Sequence, residues 1–349
     1  MPNKIINLSS DTVTLPTPEM LQAIATAELG DDILGEDPTV RRLEELGAEI
    51  FGKEASLLTI SGTMANQVAV MTFTQRGQEV ILGEESHIYN LEVAALATLS
   101  QVQTRPIPCP AGYFDPVMVR NAIQPPGVQK AATGLVCLEN TYDLDKGLAI
   151  TEENTREICA IAHHQNIPVY LDGARIFNAA LSLGKNVAEL TSPVDALQVC
   201  LTKGLSAPLG SLLAGKKEFI AEARRIRQRI GGGMRQAGII AAAGIIALTK
   251  MVDRLAEDHE HAHALTKGLC DIDKRLLRHP VNTNIVSIDV GKLSIDTEAF
   301  FKQVTNSGIK IKSIGDGCYR MVCHRHISLE NINYVLVTFN RVIKRLSKN

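Results

Sequence analysis

The feature that most constrains the fold is an alternation of short apolar runs with helix-like segments between about residues 50 and 215. Short apolar runs bounded by turn residues are typical of strands buried on both faces, and their alternation with helices is typical of βαβ units. The pattern therefore predicts an α/β fold with a mainly parallel central sheet. The predicted strands are Ser56–Ile60, Glu79–Leu82, Gly134–Leu138, Pro168–Leu171, Ala196–Leu201 and Ser211–Ala214.

Capping residues predict where several helices begin and end. One helix should run from about Thr63 to Arg76 and be closed by Gly77, a C-cap glycine. Thr151 should cap a second helix, and Asp115-Pro116 should start a third. The triple glycine at 231–233 should separate two further helical segments.

The 349-residue chain is long enough for one large domain and one smaller domain. We expect residues 1–20 to form an N-terminal segment that contributes to the active site, and residues 21–250 to form the large domain. Residues 251–349 should form a small α+β C-terminal domain. Its expected elements are a long charged helix after Lys250, alternating runs near Asn284–Val290 and Cys318–Cys323, and a helix over Ser328–Leu346.

The bulk composition is that of a globular protein and favours no macromolecular partner. Apolar residues make up 45% of the chain, and the net charge of −2 gives no reason to expect nucleic-acid or membrane binding. The longest apolar stretch, 237–248, is too short to span a bilayer and predicts a helix in a core or a subunit interface.

The beginning of the chain lacks the apolar region of a signal peptide. The seven cysteines are dispersed without a CxxC pair, which favours reduced thiols and a cytoplasmic location. They are Cys109, Cys137, Cys159, Cys200, Cys270, Cys318 and Cys323.

Two charged residues, Asp172 and Lys203, stand at the ends of apolar runs where packing explains them poorly. A lysine that can form a Schiff base and an acid that can keep a pyridine nitrogen protonated are what pyridoxal 5'-phosphate requires. The alternatives from the residues alone are a helix N-cap for Asp172 and an exposed loop lysine for Lys203. The segment 202–210 is a bend between two predicted strands, which favours a loop that presents the lysine side chain.

The segment Ser61–Asn66 is a small, hydroxyl-rich turn between a predicted strand and a predicted helix. Free backbone N–H groups at such a helix N-terminus suit a phosphate, although an ordinary helix cap is the alternative. The GxxxxGK pattern of a Walker loop is absent.

Histidines and arginines supply further candidates. His87 follows a predicted strand and could stack on a cofactor ring or transfer a proton. Arg175 and Arg320 could each bind a substrate carboxylate, although Arg320 could instead be an edge-strand arginine in solvent. His259, His261 and His263 form no HExxH motif, and their acidic neighbours favour a solvated helix face over a metal site.

With these residues in place, the chain resembles the low-specificity L-threonine aldolases of the aspartate-aminotransferase-like superfamily, which have fold type I of the pyridoxal-phosphate enzymes. The resemblance covers nearly the whole chain. It rests on the segments Leu8–Thr14, Gly35–Val40, Ser61–Asn66, Asp172–Arg175, Thr202–Gly204 and Gly231–Gly238.

The resemblance implies a role for each candidate residue. Catalytic roles fall to Lys203, which binds the cofactor, and His87, which stacks on it. Asp172 pairs with the pyridine nitrogen. The phosphate is held by Gly62 and Thr63, with help from Arg235 of a neighbouring subunit. The carboxylate of the substrate is bound by Ser10, Arg175 and Arg320.

The implied activity is a carbon–carbon lyase reaction of amino-acid metabolism. L-Threonine, L-allo-threonine and related β-hydroxy-α-amino acids would be cleaved to glycine and an aldehyde, by a cytoplasmic homotetramer built from dimers. The alternatives are a β-eliminating lyase, an aminotransferase, or an inert binding module on the same scaffold. The chain departs from the family pattern at Leu34, Gln129 and Gln228, and the first two departures bear on side-chain and stereochemical preference and on rate.

Overall fold

The computed structural model describes residues 5–347, and the first four residues of the predicted N-terminal segment lie outside that range. The chain divides into two compact units. The larger unit comprises Leu15–Leu144 and Leu148–Val252. The smaller unit takes the chain up to Thr14, the short segment Asp145–Gly147, and the chain from Asp253 onward.

The strands and helices are given in chain order. The strands are β1 (Ile6–Asn7), β2 (Ala55–Thr59), β3 (Glu79–Gly83), β4 (Gln103–Ile107), β5 (Thr133–Glu139), β6 (Val169–Asp172), β7 (Ala196–Cys200), β8 (Ser211–Gly215), β9 (Ile285–Asp289), β10 (Ile309–Lys310), β11 (Lys312–Gly315) and β12 (Cys318–Val322). The helices are α1 (Pro18–Ala25), α2 (Pro38–Phe51), α3 (Gly62–Phe73), α4 (His87–Asn90), α5 (Pro116–Ala122), α6 (Glu152–His164), α7 (Ile176–Leu183), α8 (Val187–Thr191), α9 (Lys217–Arg229), α10 (Gly238–Lys250), α11 (Leu255–Ile272), α12 (Thr297–Asn306) and α13 (Leu329–Leu346).

The larger unit is built on a seven-stranded sheet with the order β2-β8-β7-β6-β5-β3-β4. Strand β8 runs antiparallel to both of its neighbours, and the other strand pairs are parallel. The six predicted strands are confirmed to within two residues at each end. The prediction of a mainly parallel sheet is also confirmed. Parallel strands need crossover connections, and helices provide them here.

Strand β4 was missed by the sequence analysis. Its residues include Gln103, Arg105 and Pro106, which do not make an apolar run. An edge position tolerates proline, because a ladder hydrogen bond is not required on the outer side. Pairing with β3 and hydrogen bonds from Gln103 and Arg105 to the buried Glu79 hold this polar edge strand in place.

The predicted helix caps are confirmed at two positions and wrong at a third. Thr151 accepts the N–H of Asn154, and Asp115 accepts the N–H of Val117. Helix α3 ends at Phe73 and not at Arg76, because Thr74 has extended backbone angles and a turn then leads into β3. Gly77 adopts a positive φ of 81° within that turn, so it does not close the helix.

The smaller unit is an α+β structure. It contains a three-stranded antiparallel sheet with the order β11-β12-β9 and a short parallel pair formed by β1 and β10. The predicted long helix and C-terminal helix are confirmed as α11 and α13. Apolar side chains from both helices, including Leu265 and Phe339, pack with Phe300 of α12 in its core.

The carboxylate of Asp37 joins two helices of the larger unit. One oxygen accepts the N–H groups of Thr39 and Val40 at the start of α2, at 3.1 and 3.0 Å. The other oxygen accepts the N–H of Gly238, the first residue of α10, at 2.9 Å and that of Gly30 at 3.2 Å. Asp37 is 1% exposed, and its bonds from Val40 and Gly238 are buried, so water cannot readily replace the carboxylate at those two N–H groups.

None of the helices within residues 5–347 combines the length and the apolar character needed to cross a membrane.

We expect Asp37→Ala to lower the free energy of unfolding by about 1–3 kcal/mol, because buried N–H groups at two helix starts would lose their acceptor. Unfolding in urea, followed by circular dichroism, measures this change. Asp115→Ala is the matched control, since Asp115 caps one helix through a single N–H at 2.8 Å. An equal loss in the two variants would contradict the double role of Asp37.

Candidate active site

Three neighbouring strands bring polar side chains into register at the carboxyl end of the sheet. Glu139 of β5 pairs with Asp172 of β6, and Asp172 pairs with Gln198 of β7. Ligands of open α/β sheets bind at this end of the strands. A cavity of about 180 Å³ lies here, and it is lined by the predicted residues Gly62, Thr63, His87, Asp172, Arg175 and Lys203.

The N-terminus of α3 forms one wall of the cavity. Ser61 caps the helix by accepting the N–H of Met64 at 3.2 Å, and Gly62 and Thr63 follow in the first turn. A Cβ atom on Gly62 would lie 2.8 Å from the Sγ atom of Cys200, so glycine is required for the helix to approach β7 this closely. The interpretation of Ser61 as a helix cap is therefore correct, and the cap leaves the next residues open to the cavity.

Asp172 is a buried carboxylate that is held by donors on both sides. It accepts hydrogen bonds from Asn66 Nδ2 at 2.8 Å and Gln198 Nε2 at 2.5 Å. A third bond comes from the backbone N–H of Ala174 at 3.1 Å. Helix α7 begins only at Ile176, with Arg175 in the capping position. The alternative role of Asp172 as the cap of that helix is therefore wrong.

Lys203 lies in the loop between β7 and β8 and lines the cavity. The loop contains two residues with positive φ, Ser206 at 65° and Gly210 at 107°. These backbone angles turn the chain sharply after Lys203, whose carbonyl accepts the N–H of Ser206 at 2.9 Å. Lys203 is partly buried, so the alternative of an exposed loop lysine is wrong.

His87 is held from two directions. Its Nδ1 atom lies 3.0 Å from Glu92 Oε1, and its backbone N–H donates to Glu139 Oε2 at 2.6 Å. The His87 side chain keeps 38% exposure, whereas that of Glu92 has none. The ring is thus fixed at one edge while it lines the cavity.

Glu139 is a buried carboxyl group that the sequence analysis did not identify. Burial raises its pKa well above the usual glutamate range, and the neighbouring carboxylate of Asp172 raises that pKa further. The hydrogen bond from the N–H of His87 lowers the pKa, Asp143 raises it and Lys203 lowers it. The balance favours a protonated Glu139 in the folded protein.

Three other predicted site residues do not line this cavity. Arg235 is 62% exposed and forms an ion pair with Asp31 at 2.7 Å. Ser10 and Arg320 belong to the smaller unit, where Arg320 donates to the carbonyl of Ser9 at 2.9 Å. Arg320 is 2% exposed on the central strand β12, so its alternative role as a solvent-facing edge residue is wrong.

The predicted solvated face of the histidine-rich helix is also wrong in part. His259 and His261 of α11 are buried, whereas His263 is exposed. Burial lowers the pKa of His259 to about 4, and the nearby His263 adds to that shift. Because the pKa is depressed, the imidazole of His259 is neutral near pH 7 and packs as an uncharged ring.

The partners of Asp172 were also missed, although two had a signal in the sequence. Gln198 is a polar residue in the middle of the apolar run Leu197–Leu201, and Asn66 is the last residue of the phosphate-type turn. Glu92, which also accepts a hydrogen bond from Asn66, was missed as well. The sequence carries no comparable signal for it, because its partners come from α3 and from His87.

The residues around the cavity fit pyridoxal phosphate. Gly62 and Thr63 offer backbone N–H groups at a helix start, which suit a phosphate group. The buried carboxylate of Asp172 suits a protonated pyridine nitrogen, and the amine of Lys203 suits an aldehyde. The hydroxyl oxygen of Thr141 is buried without a hydrogen-bond partner among the described residues, which leaves a polar atom available at the cavity wall.

Comparisons of this chain with a family model and with individual known proteins point to the same family. The family model described as beta-eliminating lyase matches residues 7–291. The chain is 38% identical over 344 residues to low-specificity L-threonine aldolase 1 of Arabidopsis thaliana, with 97% of this chain and 96% of that protein covered. It is 37% identical over 342 residues to the low specificity L-threonine aldolase of Escherichia coli strain K12, with 98% and 100% covered.

Solved structures match the fold at lower sequence identity. A threonine aldolase of Leishmania major has a TM-score of 0.82 at 18% identity and covers 97% of this chain and 99% of its own. A serine palmitoyltransferase of Sphingomonas wittichii has a TM-score of 0.78 at 16% identity, with 99% and 88% covered. These matches confirm the predicted fold type I.

We expect the stability difference between Glu139→Gln and the wild-type protein to depend on pH. The folded chain favours protonated Glu139, so wild-type stability should fall relative to the variant as pH rises above the usual glutamate pKa of about 4.3. One proton limits the slope to about 1.4 kcal/mol per pH unit. Urea unfolding of cofactor-free protein between pH 4.5 and 8 measures the difference.

Glu49→Gln is the control for this pH series, because Glu49 is an exposed residue of α2. Its stability difference from wild type should stay nearly constant over the same range. A constant difference for Glu139→Gln as well would show that Glu139 is not held in its protonated form.

Proposed function

The chain belongs to the low-specificity L-threonine aldolases, within the beta-eliminating lyase family, and we propose that it cleaves L-threonine and L-allo-threonine. The products are glycine and acetaldehyde, and related β-hydroxy-α-amino acids give glycine and other aldehydes. Pyridoxal phosphate is the cofactor. When bound, it supplies an electron-poor ring that accepts the electron pair of the breaking Cα–Cβ bond.

The observation that carries this proposal is the convergence of Lys203, Asp172 and the start of α3 on one cavity. An amine, a buried carboxylate and a set of free N–H groups correspond to the three functional ends of the cofactor. Relatives that cover the chain almost end to end bear the aldolase name, which supports this reaction over others on the same scaffold.

Each residue of the cavity has a task that follows from its environment. The buried negative charge of Asp172 stabilises a positive charge on the pyridine nitrogen of the cofactor. The amides of Asn66 and Gln198 hold the carboxylate in place. Arg175 lines the cavity and is suited to bind the substrate carboxylate with its planar guanidinium group. Lys203 lines the cavity and would hold the cofactor through its side-chain amine.

The proton on the β-hydroxyl group must be removed as the Cα–Cβ bond breaks. His87 lines the cavity and can accept a proton, and an ordered water molecule is the alternative base. Gln129 cannot serve, because an amide does not take up a proton near neutral pH. The assignment of Ser10 and Arg320 to the substrate carboxylate is part of this proposal and follows the family pattern.

We expect purified protein supplied with pyridoxal phosphate to release acetaldehyde and glycine in equal amounts from L-allo-threonine or L-threonine. Lys203→Ala should lower the rate about 10⁴-fold or more, as the loss of a covalent catalyst does. An alcohol-dehydrogenase-coupled assay follows the acetaldehyde. Lys217→Ala is the control, since Lys217 is an exposed lysine on α9. Release of pyruvate or another keto acid in place of glycine would overturn the proposal in favour of β-elimination or transamination.

An inert binding module is the second alternative, and the same protein distinguishes it. A competent Lys203 should bind the cofactor and give a visible absorbance band that Lys203→Ala loses. A colourless wild-type protein would favour the inert module. Ranking the turnover of L-threonine, L-allo-threonine and phenylserine would define the side-chain preference, on which Leu34 and Gln129 bear. Both residues are exposed in the single chain.

We also propose a homotetramer of dimers with shared active sites. Arg235 is exposed and paired with Asp31, and exposed apolar side chains lie within four residues of this pair in the sequence, which suits a subunit interface. The group comprises Leu29, Leu34 and Ile239. A second subunit on this surface would bury the apolar group. Arg235 would then reach the phosphate of the cofactor that the second subunit binds. The cytoplasm is the proposed location, consistent with seven cysteines that form no disulfide.

We expect mixed subunits to test this sharing of sites. Lys203→Ala and Arg235→Ala proteins should each have low activity alone. In a hybrid dimer, one of the two sites would combine a wild-type Lys203 with a wild-type Arg235, so activity should reappear. Co-expression with two different affinity tags isolates the hybrids. Hybrids no more active than the two parent variants would contradict the contribution of Arg235 to a neighbouring site.

A further inference from the structure

Glu92 is a buried carboxylate beside the cavity that the proposed reaction has not yet used. It follows α4 in sequence, and its side chain has no exposure. Its oxygen Oε1 lies 3.0 Å from Nδ1 of His87 and accepts Nδ2 of Asn66 at 2.7 Å. Its oxygen Oε2 accepts Nε2 of Gln67 at 2.8 Å.

Hydroxyl groups lie next to the amide oxygens on the far sides of the two amides. Tyr170 donates its phenol to Asn66 Oδ1 at 2.7 Å. Burial raises the pKa of Tyr170 well above its usual range, so the phenol keeps its proton and remains a donor. Ser100 donates to Gln67 Oε1 at 2.9 Å. The amide oxygens are thus occupied, and both NH₂ groups face Glu92.

The NH₂ group of Asn66 also links Glu92 to the cofactor end of the site. It donates to Asp172 Oδ2 at 2.8 Å as well as to Glu92. Ligand atoms of His87, Glu92 and Asp172 all lie within 4.8 Å of one another. Gln198 completes the set by donating to Asp172 while Ser211 donates to the amide oxygen of Gln198 at 2.7 Å.

This network decides which nitrogen of His87 carries the hydrogen. Within residues 5–347, the hydrogen-bond partners of Glu92 other than His87 are two side-chain NH₂ groups that donate to it. A carboxylate that is surrounded by donors acts as an acceptor. Glu92 therefore accepts from His87 as well, and Nδ1 must be the nitrogen that bears the hydrogen.

We propose that Glu92 is a positioning residue that holds His87 in the Nδ1–H tautomer, so that Nε2 has the free lone pair. This inference rests on the proposed aldol cleavage. There, Nε2 takes the proton of the β-hydroxyl group. The O–H bond breaks, an N–H bond forms, and the oxygen electrons form the aldehyde carbonyl as the Cα–Cβ bond breaks. A proton then adds to Cα, which restores the proton balance and gives glycine.

The two nitrogens would not be distinguished without Glu92. The His87 side chain is 38% exposed, and a solvated imidazole can exchange between tautomers. The pairing of a base with a buried carboxylate is the same arrangement that orients histidine bases in hydrolases. Here the carboxylate is fixed in turn by two amides, so the orientation extends from Tyr170 and Ser100 to the ring.

The test compares wild-type holoenzyme with Glu92→Gln, with ¹⁵N-labelled histidine and no substrate. The His87 signals are assigned by their loss in His87→Asn. We expect an N–H signal at Nδ1 and a lone-pair signal at Nε2 in the wild type. Glu92→Gln should lose this preference, because its amide cannot accept from His87 and Asn66 while also accepting from Gln67. Its kcat should fall about 10²-fold with little change in KM.

Two further variants separate positioning from a general effect on folding. Glu84→Gln removes an exposed carboxylate close to His87 in sequence and should leave the tautomer and kcat unchanged. The double variant Glu92→Gln with Gln67→Glu moves the carboxylate one step away from the ring. The amide introduced at position 92 can then donate to the carboxylate introduced at position 67 and turn its carbonyl oxygen to His87. The Nδ1–H signal and much of kcat should therefore return.

Two results would overturn the proposal. One is a wild-type His87 that carries its hydrogen on Nε2. The other is a Glu92→Gln variant with unchanged tautomer and unchanged kcat. The tautomer measurement needs no substrate, so it remains decisive for Glu92 even if the wild-type protein cleaves no β-hydroxy amino acid. A wild-type protein without this cleavage activity would contradict the proposed function and leave the role of Glu92 to be decided by the tautomer.

Discussion

The larger unit depends on a charge that is buried at the end of its central sheet. Asp172 can stay there only because Asn66, Gln198 and a backbone N–H supply donors that replace water. Each donor comes from a different element, so the carboxylate also ties helix α3 to strands β6 and β7. The same interaction that makes the burial tolerable therefore shapes the wall of the cavity.

The neighbouring acids show how one buried charge constrains the next. Glu139 is in register with Asp172, and its burial, together with the nearby carboxylate of Asp172, raises its pKa and favours a neutral Glu139. Glu92 is also close to Asp172, but the NH₂ group of Asn66 donates to both carboxylates, so the two can share the site as acceptors. Acids of similar intrinsic strength are thus given different tasks by their hydrogen-bond partners.

The sequence was informative wherever a local signal reported a local interaction. Thr151 and Asp115 cap the helices that follow them, and the alternation of apolar runs predicted the positions of six strands along the chain. The sequence was less informative for β4, whose polar side chains donate hydrogen bonds to Glu79 of the neighbouring strand β3. The environment of Arg320 could not be predicted either. An arginine in a predicted strand gives no indication that a distant carbonyl, here that of Ser9, will accept its hydrogen bond.

The sequence alone determined the α/β architecture, and it identified Asp172, Lys203 and the turn at Ser61–Asn66 as candidates for a cofactor site. These follow from periodicity, from caps and from charged residues at strand ends, all of which are local. Only the tertiary structure decided that Glu92 contacts His87 and that Asn66 joins Glu92 to Asp172. Asn66 and Asp172 are 106 residues apart, and a side-chain hydrogen bond over such a separation has no period in the sequence.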